Sequence, residues 1–308
     1  MSKVAVQLLS WNGEKHLRSA LASIAKQTFF DFELLVLDNG SADASVSIIE
    51  DALKNFNHSS RFIKAVKNTG FAGGHNALWA MSDAPYVFCV NQDVALSDDY
   101  LERIVEFLDK TPGAGSASGV LRHEDGSVDT AGLAKNWYEK VYDIVKAPNE
   151  PETRVFGVSG ALPVYRRTAI DEVSPDGKPF DENFFSYKED ADLAWRLNAF
   201  GWGSFVLAEA KAVHERGFGA DKKWNAAQHS KQKLSSRNHL LTLVKDLPSA
   251  EFWRLPVIVF YELGKLAYLS VFVPKSLGYI GDFFRLLPQT IKARKVVWQR
   301  LKTKQNNG

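Results

Sequence analysis

The chain of 308 residues is 45% hydrophobic and 12% aromatic, enough to bury a large core and too much for a disordered protein. Its 38 Lys and Arg against 36 Asp and Glu leave a formal charge of +2, which argues against a nucleic-acid partner and confines any basic patch to a local segment. A single cysteine, Cys89, lies inside an apolar run, so an internal disulfide and a Cys-rich zinc site are excluded and a reducing, cytoplasmic setting is the default.

The opening stretch MSKVAVQLLSWNG reads as a first strand: its apolar part is shorter than the roughly 7 to 15 residues of a signal-peptide core, and no small-residue cleavage site follows. Apolar runs at residues 4–9 and 32–37 flank a segment in which Leu17, Leu21 and Ile24 recur at helical spacing, giving strand, helix and parallel strand. Ser41 stands where it would cap a second helix striped by Val46, Ile49, Leu53 and Phe56, and residues 61–66 supply a third strand. GGHNALWAMSDAP is a short helix closed by Pro85. Residues 86–90 form a buried strand, and Leu101, Ile104, Val105 and Leu108 stripe a helix after Ser97. To about residue 110 this is the rhythm of a parallel α/β sheet.

Residues 111–185 break that rhythm with short strands, Gly, Pro and the turn Asp125-Gly126, as loops around a site would. Helical spacing returns in KEDADLAWRLNAFGW, where Leu193, Leu197 and Phe200 share a face and Gly201 stands where a left-handed cap would close the helix. A strand-like SFVLAEAKAV leads to His214, and from Gln228 onward the chain reads as helices.

In an open parallel sheet, ligands bind beyond the carboxyl ends of the strands. Four of those ends are polar here: Ser10-Trp11-Asn12, Asp38-Asn39-Gly40-Ser41, Asn68-Thr69-Gly70 and Asn91-Gln92-Asp93. Each alone is ordinary turn chemistry, but four on one rim favour a shared site. NTGFAGGHN matches neither the dinucleotide fingerprint nor the P-loop, so its glycines fit an anion-accepting helix start and a tightly packed turn equally well. Asp93 suits Mg²⁺ or Mn²⁺, which take one or two protein carboxylates and complete their shell with phosphate oxygens and water. Glu189, Asp190 and Asp192 open a helix, where the dipole alone would favour them. His214 by itself is an unremarked histidine.

Together these segments resemble the family 2 glycosyltransferases, whose nucleotide-sugar-binding fold is known as GT-A. The resemblance covers about residues 4–217 and is carried by LLSWNGEKHLRSALASIAKQTFFDFELLVLDNGSADAS, NTGFAGGHNAL, VNQDVAL, DGSVDTAGL, GVSGALPVYRR, YKEDADLAWRLNAFGW and HERG. It implies an α/β fold: a Rossmann-like GT-A domain over 1–225, with a mostly parallel central sheet and flanking helices, and a C-terminal helical extension over 226–308. Within the family, NTGFAGGHN and EDADLAWR look most like rhamnosyltransferases of cell-surface polysaccharide assembly, which use dTDP-rhamnose.

Carried over by position, the resemblance puts Ser10, Asn12, Asp38 and Asn39 around the nucleotide. It puts Asn68, Gly74 and Asn76 along the donor pocket, with Asn91, Gln92 and Asp93 at its diphosphate end. Asp93 matches the last carboxylate of the family's DXD motif, whose first position is Asn91 here, and His214 matches the position that helps the metal or the diphosphate. Asp190 matches the catalytic base of an inverting transfer, with Glu189 and Asp192 in support and Gly160, Ala161 and Trp195 on the acceptor side. The implied partners are a nucleotide-diphosphate sugar and a glycan or polyprenyl-diphosphate-linked acceptor. Two other readings are a soluble UDP-hexose-dependent transferase and a degenerate domain that binds without turnover, the latter countered by the presence of Asp93, Glu189 and Asp190.

Residues 252–273 are about long enough to span a bilayer, yet Arg254, Pro256, Glu262 and Lys265 interrupt them, so they do not read as a transmembrane helix. After Asp282 the chain carries seven basic residues and no acid up to Lys304, interleaved with apolar ones. Such a helix suits an anionic membrane surface at the inner face of the cell membrane, a solvated cap or a homodimer interface.

Overall fold

The computed structural model describes residues 2–215 and 225–307. The first part alternates as the apolar pattern requires: β1 (Val4–Ser10), α1 (Leu17–Ala25), β2 (Phe32–Asp38), α2 (Ser45–Leu53), β3 (Ser60–Lys64), α3 (Gly70–Trp79) and β4 (Tyr86–Asn91). β1 pairs in parallel with β2 and β4, and β3 extends the sheet beyond β2. These strands are apolar on both faces because both are covered. Leu17, Leu21, Ile24 and Ile49 pack against Val6, Leu8 and Val36 on one side, and Ala72 and Leu78 pack against Ala5, Leu35 and Val87 on the other.

Two local expectations change. Ser41 does not cap α2: its Oγ accepts the Asn12 N–H at 2.9 Å, and the helix entry is held by Asp43, which accepts the Ser45 N–H at 3.0 Å. β3 ends at Lys64, leaving Val66 fully exposed. The glycines of NTGFAGGHN pack tightly, as described below.

β5 (Val94–Leu96), α4 (Tyr100–Lys110), β6 (Ala114–Arg122), β7 (Val128–Thr130), β8 (Leu133–Lys135) and β9 (Val141–Asp143) follow. Then come β10 (Glu152–Val155), β11 (Val164–Arg166), α5 (Arg167–Val173), α6 (Glu189–Ala199) and β12 (Gly203–His214). The main sheet has ten strands in the order β10-β12-β6-β11-β4-β1-β2-β3, with β5 on β12 and β7 on β6. β6 is a buried central strand that its Ala, Gly and Ser content conceals, since such residues lack strand preference. Crowding accounts for part of that content: a Cβ at Gly119 would stand 2.0 Å from the Ala210 carbonyl oxygen.

β11 runs antiparallel between β4 and β6, so β1, β2, β4, β6 and β12 all point the same way. Their carboxyl ends form one rim: Ser10 lies opposite Asp38, Leu9 opposite Asn91, and His214 opposite Val94. α6 closes at Gly201, whose φ of +88° is the expected left-handed cap.

α7 (Ala226–Asp246), α8 (Leu255–Phe272) and α9 (Tyr279–Asn307) complete the chain. They are built into the core. Leu247 and Ile258 join Leu133, Val141, Ala191 and Trp195 in one cluster, and Val297 and Leu301 reach the cluster containing Ala169 and Leu197.

Candidate active site

The rim begins with two buried groups. Ser10 Oγ and Asp38 Oδ1 are enclosed and have no hydrogen-bond partner, while Asp38 Oδ2 accepts the Ser41 N–H at 3.0 Å. A buried polar atom without a partner costs about 1–3 kcal/mol, so the pair marks a place where a ligand can complete the bonding. Asn12, in a left-handed conformation at φ 49°, ties the β1 and β2 loops together by accepting the Ala42 N–H at 2.9 Å.

Other polar residues of the expected donor pocket are occupied in holding loops. Asn39 is buried; its amide donates to Asn68 Oδ1 at 3.1 Å and Gly70 O at 3.0 Å and accepts the Thr69 N–H at 2.9 Å. Asn68 Oδ1 also accepts the Gly70 N–H at 2.7 Å. Asn76, also buried, clamps the Phe180 backbone, donating to its carbonyl at 2.8 Å and accepting its N–H at 3.1 Å. A Cβ at Gly74 would meet Leu9 Cδ1 at 2.4 Å, and one at Gly70 would meet the Phe185 carbonyl oxygen at 2.2 Å. The Ala72 N–H already bonds Phe185 O at 3.1 Å. The start of α3 is therefore closed by protein, which favours the tightly packed turn of the two readings of NTGFAGGHN, and the amides of Asn39 and Asn76 are engaged in holding that packing.

At the end of β4, Gln92 grips the next loop, accepting the Trp11 N–H at 2.9 Å and donating to Trp11 O at 3.1 Å. Asp93 Oδ1 stands 3.1 Å from His214 Nε2, and His214 Nδ1 stands 2.6 Å from Asp129 Oδ2. The imidazole is fully enclosed, while Asp93 retains access to solvent. Two donors of an octahedral ion with bonds of about 2.1 Å lie roughly 3 Å apart, so the Asp93 and His214 atoms have the separation of neighbouring ligands. A carboxylate behind the far ring nitrogen is the usual arrangement for a metal-binding histidine. Among the described residues no group of three or more His, Cys, Asp or Glu could hold a metal ion by itself; an ion at Asp93 and His214 would take its remaining ligands from a diphosphate and water. Arg216 and Gly217 of HERG lie outside the described residues.

Across the rim, the Asn91 N–H donates to Ala161 O at 3.1 Å, and the Gly160 N–H donates to Asp190 Oδ2 at 2.9 Å. This short path joins the β4 end to the start of α6. Glu189 is buried, and burial together with the charge of Asp190 pushes its carboxyl up to about 8. Left-handed Phe185, Tyr187 and Lys188 precede it. That strained turn is held by Asn238 of α7, whose amide nitrogen faces the carbonyls of Phe184, Ser186 and Tyr187 at 2.9, 2.9 and 2.6 Å.

Two expected site residues are structural. Asp192 is enclosed and ion-paired with Arg196 and Lys245, so it does not face a substrate. Trp195 is 5% exposed, with Lys135 Nζ 4.0 Å from its ring centroid and Phe156 edge-on, which buries it away from any acceptor. Both follow Asp190 on turns of α6 that face inward, where helix position, not residue type, decides.

Asp129 and Asp143 were not singled out by sequence reasoning. Asp143 ends β9, and desolvation, then the charge of Asp190, raises its carboxyl. Asp129 lies in the quoted DGSVDTAGL, whose aspartate pair was the available signal; Asp143 had none.

Residues 7–174 match the model of the family described as Glycosyl transferase family 2. The poly-beta-1,6-N-acetyl-D-glucosamine synthase of Staphylococcus epidermidis is 22% identical over 199 residues, 65% of this chain, and the chain spans only 46% of that protein's length. The N-acetylglucosaminyl-diphospho-decaprenol L-rhamnosyltransferase of Mycobacterium tuberculosis is 26% identical over 256 residues, covering 73% of this chain and 81% of that one. Among solved structures, S. aureus TarS 1–349 in complex with UDP-GlcNAc superposes with a TM-score of 0.60 at 18% identity, over 97% of this chain and 87% of that one. At that identity the likeness establishes the fold.

Proposed function

We propose that this chain, which belongs to glycosyl transferase family 2, moves a sugar from a nucleoside-diphosphate donor to a hydroxyl of a glycan or polyprenyl-diphosphate-linked acceptor in cell-surface polysaccharide synthesis, with inversion at the anomeric carbon. The observation that carries the reading is the single rim on which Asp190, held by the Gly160 N–H, and the Asp93–His214–Asp129 group lie on either side of the Asn91–Ala161 contact.

Ser10 and Asp38 hold the nucleotide base and ribose through their unpartnered oxygens. Asn12 shapes that end of the pocket. Asp93 and His214 would hold Mg²⁺ or Mn²⁺, with Asp129 fixing the ring so that Nε2 faces the ion. Such an ion supplies stabilisation of the negative charge that develops on the departing diphosphate. Asp190 takes the proton of the acceptor hydroxyl as its oxygen attacks, and the Gly160 N–H keeps the carboxylate oriented. Glu189, protonated at neutral pH by its burial, adds no second charge beside the base.

The donor we favour is dTDP-rhamnose, supported by a rhamnosyltransferase that matches most of its own length and most of this chain. A panel of UDP, dTDP and GDP sugars, read by released nucleoside diphosphate, tests this choice. Release from UDP-hexoses with none from dTDP-rhamnose would replace the donor, and release from no donor would remove the transferase reading. The enzyme would work at the cytoplasmic face of the cell membrane.

A further inference from the structure

Asp93 and His214 each have a neighbour in sequence that grips one and the same loop. That loop, residues 11–16, links β1 to α1 and carries Asn12 at the nucleotide end of the rim. Gln92, next to Asp93, accepts the Trp11 N–H at 2.9 Å and donates to Trp11 O at 3.1 Å. Glu215, next to His214, has Oε2 3.0 Å from His16 Nδ1, and its backbone N–H donates to Asp93 O at 2.8 Å. A carboxylate offers only acceptors, so Nδ1 carries the hydrogen of the His16 contact.

The far side of the loop is fastened to the segment after β2. The Asn12 N–H donates to Ser41 Oγ at 2.9 Å, the Gly13 N–H to Ser45 Oγ at 2.8 Å and the Glu14 N–H to Asp43 Oδ2 at 3.1 Å. Residues 11–16 therefore stand between the end of β2, where Asp38 keeps an oxygen without a partner, and the turn that carries Asp93. The fit is close at Gly13, where a Cβ would lie 2.2 Å from Gln92 Oε1.

The His16–Glu215 contact joins residues 199 positions apart, with side chains 33% and 22% exposed. It is not needed to hold α1 against β5, because Leu17 and Val94 already share the buried core. A charged contact this accessible adds little to stability. What it fixes is direction. β12 pairs with β5 as far as His214 opposite Val94, and Glu215 is the first residue beyond that pairing. Its two contacts set the path of the chain as it leaves His214.

We propose that His16 is a positioning residue for the diphosphate end of the donor. Through Glu215 it holds His214 and the Asp93 turn at a fixed spacing from the nucleotide loop, so that one nucleoside diphosphate meets both ends of its site at once. Gln92 secures the other end of the same loop. A site already at the right spacing loses less of the ligand's affinity to ordering the protein. This role rests on the transferase reading and adds to it a residue that touches neither the nucleotide nor the ion.

The test uses the full chain, Mn²⁺, and whichever of UDP, dTDP and GDP the parent binds. Mn²⁺ affinity in the presence of that nucleotide is read by electron paramagnetic resonance, nucleotide affinity in chelator by calorimetry, and melting temperature without ligand. His16→Ala should weaken Mn²⁺ binding about tenfold. It should leave nucleotide affinity in chelator within about twofold and the melting temperature within about 3 °C. Asparagine places its amide nitrogen where Nδ1 of histidine stands, so His16→Asn should restore Mn²⁺ binding and His16→Gln should not. Glu215→Ala should match His16→Ala, and the double variant should be no weaker than either. Unchanged Mn²⁺ affinity in His16→Ala, a loss that His16→Asn does not repair, or a fall of melting temperature and both affinities together overturns the positioning role. A parent that binds nucleotide equally in Mn²⁺ and in chelator removes the metal site and this role with it. A parent that binds none of the three nucleotides instead removes the transferase reading.

Discussion

Lys245 Nζ on α7 lies 2.7 Å from Asp192 Oδ1 on α6, and this contact joins the C-terminal helices to the helix that carries Glu189 and Asp190. Arg196 approaches the other Asp192 oxygen at 2.8 Å, and all three side chains are almost without solvent exposure. Burial alone would raise the Asp192 carboxyl, but the charges of Lys245 and Arg196 outweigh it and hold it at about 2. Lys245→Met leaves a buried carboxylate poorly compensated and should cost about 3–5 kcal/mol in denaturant unfolding. Asp192→Asn combined with Lys245→Met should recover part of that loss. Additive losses would show that the pair is not coupled.

Asp190→Asn keeps an oxygen for the Gly160 N–H but cannot take a proton. Turnover should fall by at least about 100-fold, with nucleotide affinity within error of the parent. Measuring transfer and nucleotide binding on one preparation separates the two effects, and undiminished turnover would remove Asp190 as the base.

Glu189 makes stability depend on pH in a direction opposite to that of a salt-bridged acid. Its folded value of about 8 lies above its usual 4.5. Below pH 4.5 it is protonated folded or unfolded, and nothing changes. Between 4.5 and 8 only the unfolded chain releases the proton, so stability falls as pH rises, by roughly 5 kcal/mol at most. Glu189→Gln removes this term, and its melting temperature relative to the parent should climb from pH 5 to pH 8. A pH-independent difference would mean that Glu189 ionises normally.

Asp129→Asn weakens the group that orients His214. Titration with Mn²⁺ in the presence of nucleoside diphosphate should show affinity reduced about 10- to 100-fold, and Asp93→Ala should abolish saturable binding. If the parent showed equal turnover in chelator and in Mn²⁺, no metal role would stand.

Asn238 holds the left-handed turn before Glu189 from a helix distant in sequence. Asn238→Ala should cost about 1–3 kcal/mol and raise amide exchange over residues 185–188. Unchanged exchange there would show that the turn is held by other contacts.

By itself the sequence determined the parallel first part of the sheet. Residues 4–9, 32–37 and 86–90 are apolar beyond what any surface strand tolerates, so they had to be neighbours under two helical layers, with Ser10, Asp38 and Asn91 at a common rim. Gly201 was equally legible, because a left-handed helix end favours glycine. What the tertiary structure decided is which polar residues face outward from that rim. Asn39 and Asn76 have the chemistry of ligand contacts, yet their amides are taken up by backbone from distant segments. β6 carries small residues because neighbours crowd it, which no local propensity records. Asp192 and Asp190 stand two apart in one acidic run, and only the approach of Lys245, 53 positions beyond Asp192, turns one into a buried ion-pair partner and leaves the other at the site. Local pattern fixes elements because it acts through neighbouring residues; the role of a charge depends on what the fold brings against it.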